Sequence, residues 1–217
     1  SYRRFRRGTA LMAILIGLTG SAGSGQSTVA AAFASDGRLS GVCSLDAVGH
    51  RLMEKPRIRS RIGAGLGLDG LENMSGREAR KLLGGMVFVD RDARSGLEAV
   101  MHPIMARWAG LCATTLADAA GLYVLEGALI FEMGLDRLLD AVVVVACDRE
   151  TCLARAISRD GLQPEEAARR LDCQAPLTEK LEKADWVIYN GSGETPESLA
   201  CQVRGVLGQI TELHPAH

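Results

Sequence analysis

A glycine-rich segment with the sequence GLTGSAGSGQSTV, at residues 17–29, offers the clearest chemistry in the chain. It follows the pattern G-x-x-x-x-G-K-S/T, in which backbone amides and the start of a helix surround phosphate oxygens. A purely structural glycine turn is the alternative, but an apolar run before the segment and a helical pattern after it favour phosphate binding. The residues expected to bind a nucleotide here are Gly20, Gly23, Ser24, Gly25, Gln26, Ser27 and Thr28.

One position of this segment departs from the pattern, because Gln26 stands where lysine is expected. A neutral amide donates hydrogen bonds but cannot offset the negative charge that develops on a transferring phosphoryl group. Backbone amides would still hold the nucleotide, whereas loss of one preorganised donor slows transfer by about a hundredfold or more. Ser27 keeps the hydroxyl expected to touch magnesium. We therefore expect ATP and Mg²⁺ as cofactors.

Short apolar runs rich in valine, isoleucine and leucine surround this loop and predict the strands that position it. They lack the alternation of a half-exposed strand and suit a parallel sheet buried on both faces. The predicted strands cover residues 13–18, 41–45, 122–126, 141–146 and 186–189. Helical patterns lie between them at residues 27–34, 77–83, 97–120, 149–158 and 164–173. Strands that alternate with helices predict an α/β fold.

The interval between the second and third predicted strands is too long for a single crossover and predicts a helical insertion, at about residues 47–120. The core then comprises residues 12–46 and 121–217, behind a basic extension at residues 1–11. The extension and the apolar run after it also resemble the start of a secretory signal. We favour a strand for the run, since glycine-rich turn chemistry follows at once. It is too short to span a membrane.

Composition narrows the range of partners. The 217 residues include 25 basic and 26 acidic side chains, for a net charge of -1, which gives no general attraction for nucleic acid or an anionic membrane. The six cysteines form no C-x-x-C pair and suit buried positions in a reducing compartment. No metal-ligand pattern is completed by the histidines.

Taken in order, the motifs resemble those of the dephospho-CoA kinase family almost end to end. The similar segments include GLTGSAGSGQSTVAAAFAS, VCSLDAVGHRLMEKP, LEAVMHPIMARW, ALIFEMGLD, RAISRDGLQPEEAARRLDCQ and EKLEKADWVIYNGSG. The resemblance implies a P-loop NTPase-type five-stranded parallel sheet flanked by helices, with a helical substrate-binding insertion and a lid at about residues 149–174. It implies a cytoplasmic enzyme that uses ATP to phosphorylate the ribose 3′-hydroxyl of dephospho-CoA, the last step of coenzyme A synthesis. The expected partner is thus a small molecule.

The resemblance also assigns roles near the reacting groups. Asp46, at the end of the second strand, matches the carboxylate that acts in the family as the base toward the attacking hydroxyl. The alternative role for Asp at such a place is to cap the helix that follows. Ser44 replaces the first acid of the family's Asp-x-Asp pattern. Arg155 and Arg159, four residues apart, share a helix face and match lid arginines that neutralise phosphate. From spacing alone, a solvated helix face with Glu165 and Glu166 is the better explanation.

Further matches concern the two substrates. Arg80, His102 and Glu132 match residues near the acceptor, and Asn190 matches a position near the adenine of ATP. A histidine before proline also occurs at helix ends, and asparagine followed by glycine is common in tight turns. Ala106 stands where the family has an arginine after the His-Pro motif.

The loss of the loop lysine leaves other functions open. The chain could be a nucleotide- or coenzyme-A-binding protein with weakened catalysis and a regulatory role, and Gln26 could also be a change introduced to trap substrate. A small-molecule kinase with another acceptor is a further alternative. The sequence does not give the oligomeric state.

Overall fold

The structure, a computed structural model, describes residues 13–116 and 119–214, so the predicted extension at residues 1–11 lies outside the described residues. Its strands are β1 (Ala13–Gly20), β2 (Leu39–Ser44), β3 (Gly121–Glu126), β4 (Ala141–Ala146) and β5 (Trp186–Tyr189). All predicted strands are present. The second is shifted, because residue 45 begins a helix instead of ending the strand.

The strands form one parallel sheet in the order β2-β3-β1-β4-β5. The continuous apolar runs have a direct cause, since this sheet is covered by helices on both faces. All six residues of β4 are buried, and β1 lies between β3 and β4. The α/β fold class is therefore confirmed, and the central strand is the one that leads into the glycine-rich loop.

The helices cover the sheet and build the insertion. Those of the first half are α1 (Gln26–Ala34), α2 (Leu45–Met53), α3 (Pro56–Leu66), α4 (Gly76–Val87) and α5 (Arg91–Leu116). Those of the second half are α6 (Arg149–Asp160), α7 (Pro164–Asp172), α8 (Leu177–Glu182) and α9 (Pro196–Leu213). The predicted helix at 97–120 begins earlier and ends earlier, and it continues through Pro103. The interpretation of His102 as a helix-end residue is therefore wrong.

Apolar clusters hold these elements together. On one face of the sheet, α1 and α9 pack Phe33 and Leu207 against the strands. On the other face, Ala109 of α5 packs with Ile130 and Leu135. A separate cluster within the insertion joins α2, α3, α4 and α5. The insertion thus has its own apolar core. It lies beside the carboxyl ends of the strands, where the glycine-rich loop follows β1.

The cysteines follow the prediction only in part. Cys147 and Cys152 are buried, whereas Cys201 is exposed, and all six are free thiols. Burial, with the neighbouring Cys147, raises the pKa of Cys152 to about 12, so this thiol stays protonated. Across residues 13–116 and 119–214, none of the helices is long and apolar enough to cross a membrane.

Candidate active site

The glycine-rich loop joins the end of β1 to the start of α1. Gly23 and Gly25 have φ values of 78° and 80°, a conformation that side-chain-bearing residues rarely adopt. A Cβ on Gly23 would collide with the carbonyl of Cys152, and one on Gly25 would collide with the amide of Asn190. Both glycines are therefore required by backbone conformation and by close packing. The loop has the geometry of a phosphate cradle, with a helix N-terminus at Gln26.

Residues from the C-terminal half hold this loop from behind. The side-chain amide of Asn190 donates to the carbonyl of Ser24 at 2.7 Å and is 5% exposed. The side-chain carbonyl of Gln174 accepts from the amide of Ala22 at 2.8 Å. Asn190 does not line the cavity in front of the loop. Its position supports the loop and does not add to an adenine contact, which stays a prediction.

A cavity of about 1070 Å³ opens in front of the loop. Its wall is formed by the loop, the first half of α2, the first half of α5, and residues of α6 and α7. Asp46 lines it from the first turn of α2 and is exposed, with no hydrogen bond or ion pair to the described residues. The N-cap of α2 is Ser44, whose hydroxyl accepts from Ala47 at 3.4 Å. The capping role considered for Asp46 is thus wrong, and its carboxylate faces the cavity.

Arg155 and Arg159, to which the family resemblance gives a lid role, both line the cavity, but their surroundings differ. Arg155 donates to the carbonyls of Asn190 at 2.8 Å and Gly191 at 3.2 Å. Its Nη1 lies 3.6 Å from the point that a Cβ on Gly25 would occupy, directly beside the loop. Arg159 is 66% exposed and bonds through two nitrogens to Asp160.

Electrostatics link Arg159 to the predicted base. The pKa of Arg159 is raised, first by its hydrogen bonds to Asp160 and more weakly by the charges of Asp160 and Asp46. The charge of Asp46 therefore acts on Arg159 of α6. Asp46, Arg155 and Arg159 are brought together by the fold around one space.

A carboxylate that the sequence analysis did not select stands next to Ser27. The hydroxyl of Ser27 donates to Glu126 Oε1 at 2.9 Å, and both residues line the cavity. Glu126 ends β3, beside β1 in the sheet. The signal that could have found it is its place at the carboxyl end of a predicted strand, where ligands bind in open α/β sheets. The described residues hold no group of three or more metal-ligating side chains, so any ion here needs other ligands.

The three residues predicted near the acceptor are not brought together. His102 lines the cavity from α5. Arg80 does not, and it pairs with Glu54 at 2.8 Å. Glu132 also lies outside the cavity wall. Of the three, only His102 is placed to touch a ligand in this cavity.

Glu132 instead belongs to a buried ion pair with Lys180, a residue that the sequence analysis did not single out. The ammonium of Lys180 is 0% exposed, donates to the carbonyl of Ala128 at 2.6 Å and lies 3.1 Å from Glu132 Oε1. Burial lowers the pKa of Lys180, while the charge of Glu132 opposes that shift. The same carboxylate accepts from the amide of Ala175 at 3.0 Å. The pair therefore connects α8 to the segment that follows β3. Ala175, which donates to the same carboxylate, directly follows Gln174, the residue that bonds to Ala22.

Comparisons with known proteins agree with this arrangement. The sequence model of the family described as dephospho-CoA kinase matches residues 14–196. The dephospho-CoA kinase of Syntrophotalea carbinolica is 39% identical over 183 residues, which are 82% of this chain and 83% of that protein. The crystal structure of TT1252 from Thermus thermophilus has a TM-score of 0.71 at 34% identity, covering 92% of this chain and 99% of that one.

A second solved structure, dephospho-CoA kinase from Campylobacter jejuni, has a TM-score of 0.62 at 27% identity. That match covers 94% of this chain and all of the other, at 100%. The family match spans the glycine-rich loop, the insertion, α6, α7 and β5. The chain therefore belongs to the dephospho-CoA kinase family.

Proposed function

We propose that this chain transfers the γ-phosphoryl group of ATP to the ribose 3′-hydroxyl of dephospho-CoA, giving coenzyme A and ADP. The observation that carries the proposal is that the glycine-rich loop, the carboxylate of Asp46 and the wall formed by α5 share one cavity of about 1070 Å³. Pockets that bind one drug-sized ligand measure roughly 300–1000 Å³, so this cavity lies at the upper limit of that range, as expected for a site that holds a nucleotide and an acceptor.

The loop would hold the triphosphate through its backbone amides and the N-terminus of α1. Magnesium, when bound, neutralises charge on the phosphates. The hydroxyl of Ser27 and the carboxylate of Glu126, 2.9 Å apart at the head of α1, are the oxygen ligands that fit it. Two protein oxygens suit Mg²⁺, which usually keeps several waters and takes further ligands from substrate phosphates.

Asp46 would orient the 3′-hydroxyl and accept its proton as the hydroxyl attacks phosphorus in line with the leaving ADP. Its carboxylate lines the cavity and has no partner among the described residues, so it is free to accept from a ligand. In such a transfer the protein forms no covalent bond with the substrates, and most of the catalysis comes from positioning them and stabilising the developing charge.

Arg155 would supply the cation that the loop lacks at Gln26. Its guanidinium lies beside the backbone of Gly25, which precedes Gln26 and the start of α1. Arg159, on the same face of α6 and nearer to solvent, would complete charge neutralisation at the outer side. Arginine suits this role because its planar fork binds two phosphate oxygens at once.

A second candidate function rests on Gln26 itself. A neutral residue at this position favours a nucleotide- or coenzyme-A-binding protein in which transfer is slow and binding persists. The two candidates predict the same complex and differ in turnover, so kinetics distinguish them.

The test is ADP release from ATP in the presence of dephospho-CoA, with the product located by ³¹P NMR as the 3′-phosphate. The kinase proposal predicts turnover by the unmodified chain and a fall in kcat of roughly 10²- to 10⁴-fold in Asp46→Asn. Arg169→Ala is the matched control, because Arg169 is an exposed residue of α7 that does not line the cavity.

Turnover that appears only in Gln26→Lys would favour the binding protein. Phosphorylation of dephospho-CoA at another position, or of no acceptor in either form, would refute the kinase proposal. An Asp46→Asn variant with unchanged kcat would remove the assigned role of Asp46 and leave the reaction in place.

A further inference from the structure

One end of the cavity wall is built by the end of α4 and the first half of α5. Its wall is mostly apolar and includes Val87, Phe88, Leu97 and Met101. Arg94 is the only arginine or lysine among the cavity-lining residues that α4 and α5 contribute. A guanidinium on a mostly apolar wall calls for an anionic partner.

The partners of Arg94 within the protein are weak. Its Nη1 donates to the thiol of Cys173, and sulfur is a poor acceptor. Its Nε lies 4.0 Å from Glu98 Oε1, at the outer limit of an ion pair. The side chain is 27% exposed, so it is partly withdrawn from water. Since a guanidinium carries five N–H donors, Arg94 has donors left for a ligand in the cavity.

A second guanidinium reaches this end of the cavity from the lid. Arg170 of α7 lines the cavity, and its Cζ lies 4.8 Å above the ring of Phe88. It also bonds to Asp160 at 3.1 Å, so its charge is partly compensated. Cys173, which contacts Arg94, follows Arg170 by three residues. Arg94 of α5 and Arg170 of α7 therefore both lie where α7 and Cys173 contact the insertion.

The acceptor of the proposed reaction carries a charged group that fits this place. In dephospho-CoA a 5′-diphosphate joins the adenosine to the pantetheine arm, a few bonds from the reacting 3′-hydroxyl. With the hydroxyl at Asp46 on α2, the diphosphate lies a few bonds away in the same cavity, whose wall includes the first half of α5. We propose that Arg94, faced by Arg170, binds the diphosphate of the acceptor, an assignment that rests on the proposed function.

The assignment makes Arg94 a specificity-determining residue. Acceptors that have the ribose hydroxyl without the diphosphate would lose the contact. Glu98, which also lines the cavity, would disfavour an anion placed without Arg94. The weak Glu98 contact leaves the guanidinium free to turn toward a bidentate phosphate partner, the geometry that arginine favours.

The experiment is calorimetric titration of the full chain with dephospho-CoA and, separately, with adenosine. Saturating Mg²⁺ and a non-hydrolysable ATP analogue occupy the nucleotide site and prevent turnover. We expect Arg94→Ala to weaken dephospho-CoA binding by roughly 10- to 100-fold, because hydrogen bonds to charged groups are lost. Adenosine affinity should change less than about threefold, and Arg94→Lys should be intermediate for dephospho-CoA, since it keeps charge and loses the fork.

The matched control is Arg107→Ala, which removes an exposed arginine of the same helix outside the cavity wall. It should leave both affinities unchanged. Dephospho-CoA affinity unchanged in Arg94→Ala, or an equal loss for adenosine, would overturn the assignment while leaving the kinase proposal intact. Absence of dephospho-CoA binding by the unmodified chain would overturn both. Thermal unfolding of each variant reports folding, and Arg94→Lys tests the assignment if the alanine variant is unstable.

Discussion

Arg155 is predicted to supply the charge missing at Gln26, and a double-mutant cycle tests that role. The cycle compares Arg155→Ala in the unmodified chain with Arg155→Ala in a Gln26→Lys background. If Arg155 replaces the absent lysine, its loss should cost much activity when residue 26 is glutamine. The cost should shrink when residue 26 carries its own ammonium.

The contacts of Arg155 set the expected size. Two of its nitrogens hold the carbonyls of Asn190 and Gly191 at 2.8 and 3.2 Å, which steadies the loop in either background. That structural contribution is lost in both arms of the cycle and cancels in the coupling energy. What remains is the donor toward phosphate, and removal of one such donor costs about 10²- to 10³-fold in kcat, or about 2.7 to 4 kcal/mol. With lysine present we expect the cost to be about tenfold smaller, a coupling of about 1.4 kcal/mol.

The assay is single-turnover transfer at saturating ATP and dephospho-CoA, which separates transfer from product release. Arg169→Ala, on α7 outside the cavity, should behave like its parent in both backgrounds. If Arg155→Ala lowers the transfer rate by the same factor with glutamine and with lysine at position 26, Arg155 does not replace the missing lysine charge. A larger effect with lysine would show that the two cations cooperate, which contradicts the same reasoning.

Three other variants test single contacts. Glu126→Gln should raise the Mg²⁺ concentration for half-maximal turnover by about tenfold, because one charged oxygen ligand is lost; an unchanged Mg²⁺ titration would contradict the metal assignment. Lys180→Met should lower the free energy of unfolding by about 3 to 5 kcal/mol in urea, by leaving Glu132 buried without its partner, and Lys180→Met with Glu132→Leu should recover most of it. The Arg38 hydrogen bond lowers the pKa of Asp36 from 3.8 to about 2, so its contribution is complete above about pH 4 and lost toward pH 2. Between those values the unmodified chain should lose about 1 kcal/mol more stability than Asp36→Asn, and parallel curves would contradict this.

Particular elements show how far sequence patterns determine this fold. The run of β4 has no polar residue, and only a strand buried on both faces accommodates it, so the parallel sheet was predictable. Helix α3 was not predicted. In its first turn Arg59 is buried and donates to the carbonyls of Met53, Leu71 and Glu72. Pattern analysis assigns a charged residue to the surface, so a buried arginine interrupts the apolar periodicity by which a helix is recognised.

The residues of the candidate site also fall into two groups, those that a local sequence pattern indicates and those that only distant contacts place. The loop and Asp46 were predictable because their chemistry is local: glycines set the turn, and Asp46 follows a strand. Asn190 and Gln174 act on the loop across 166 and 152 residues of sequence, so no local pattern reports their contacts. Lys180 gave no signal either, since its burial depends on a carboxylate 48 positions away in the chain (180 − 132).

These distant contacts explain why loss of the loop lysine need not change the shape of the loop. Its backbone is held by the Asn190 amide at Ser24 and by the Gln174 side chain at Ala22, both independent of residue 26. Gln26 therefore alters the charge in front of the phosphate cradle and leaves the cradle's geometry in place. Since amide donors bind the ground-state phosphates while the cation acts mainly on the developing charge, nucleotide affinity and transfer rate can vary separately in this chain.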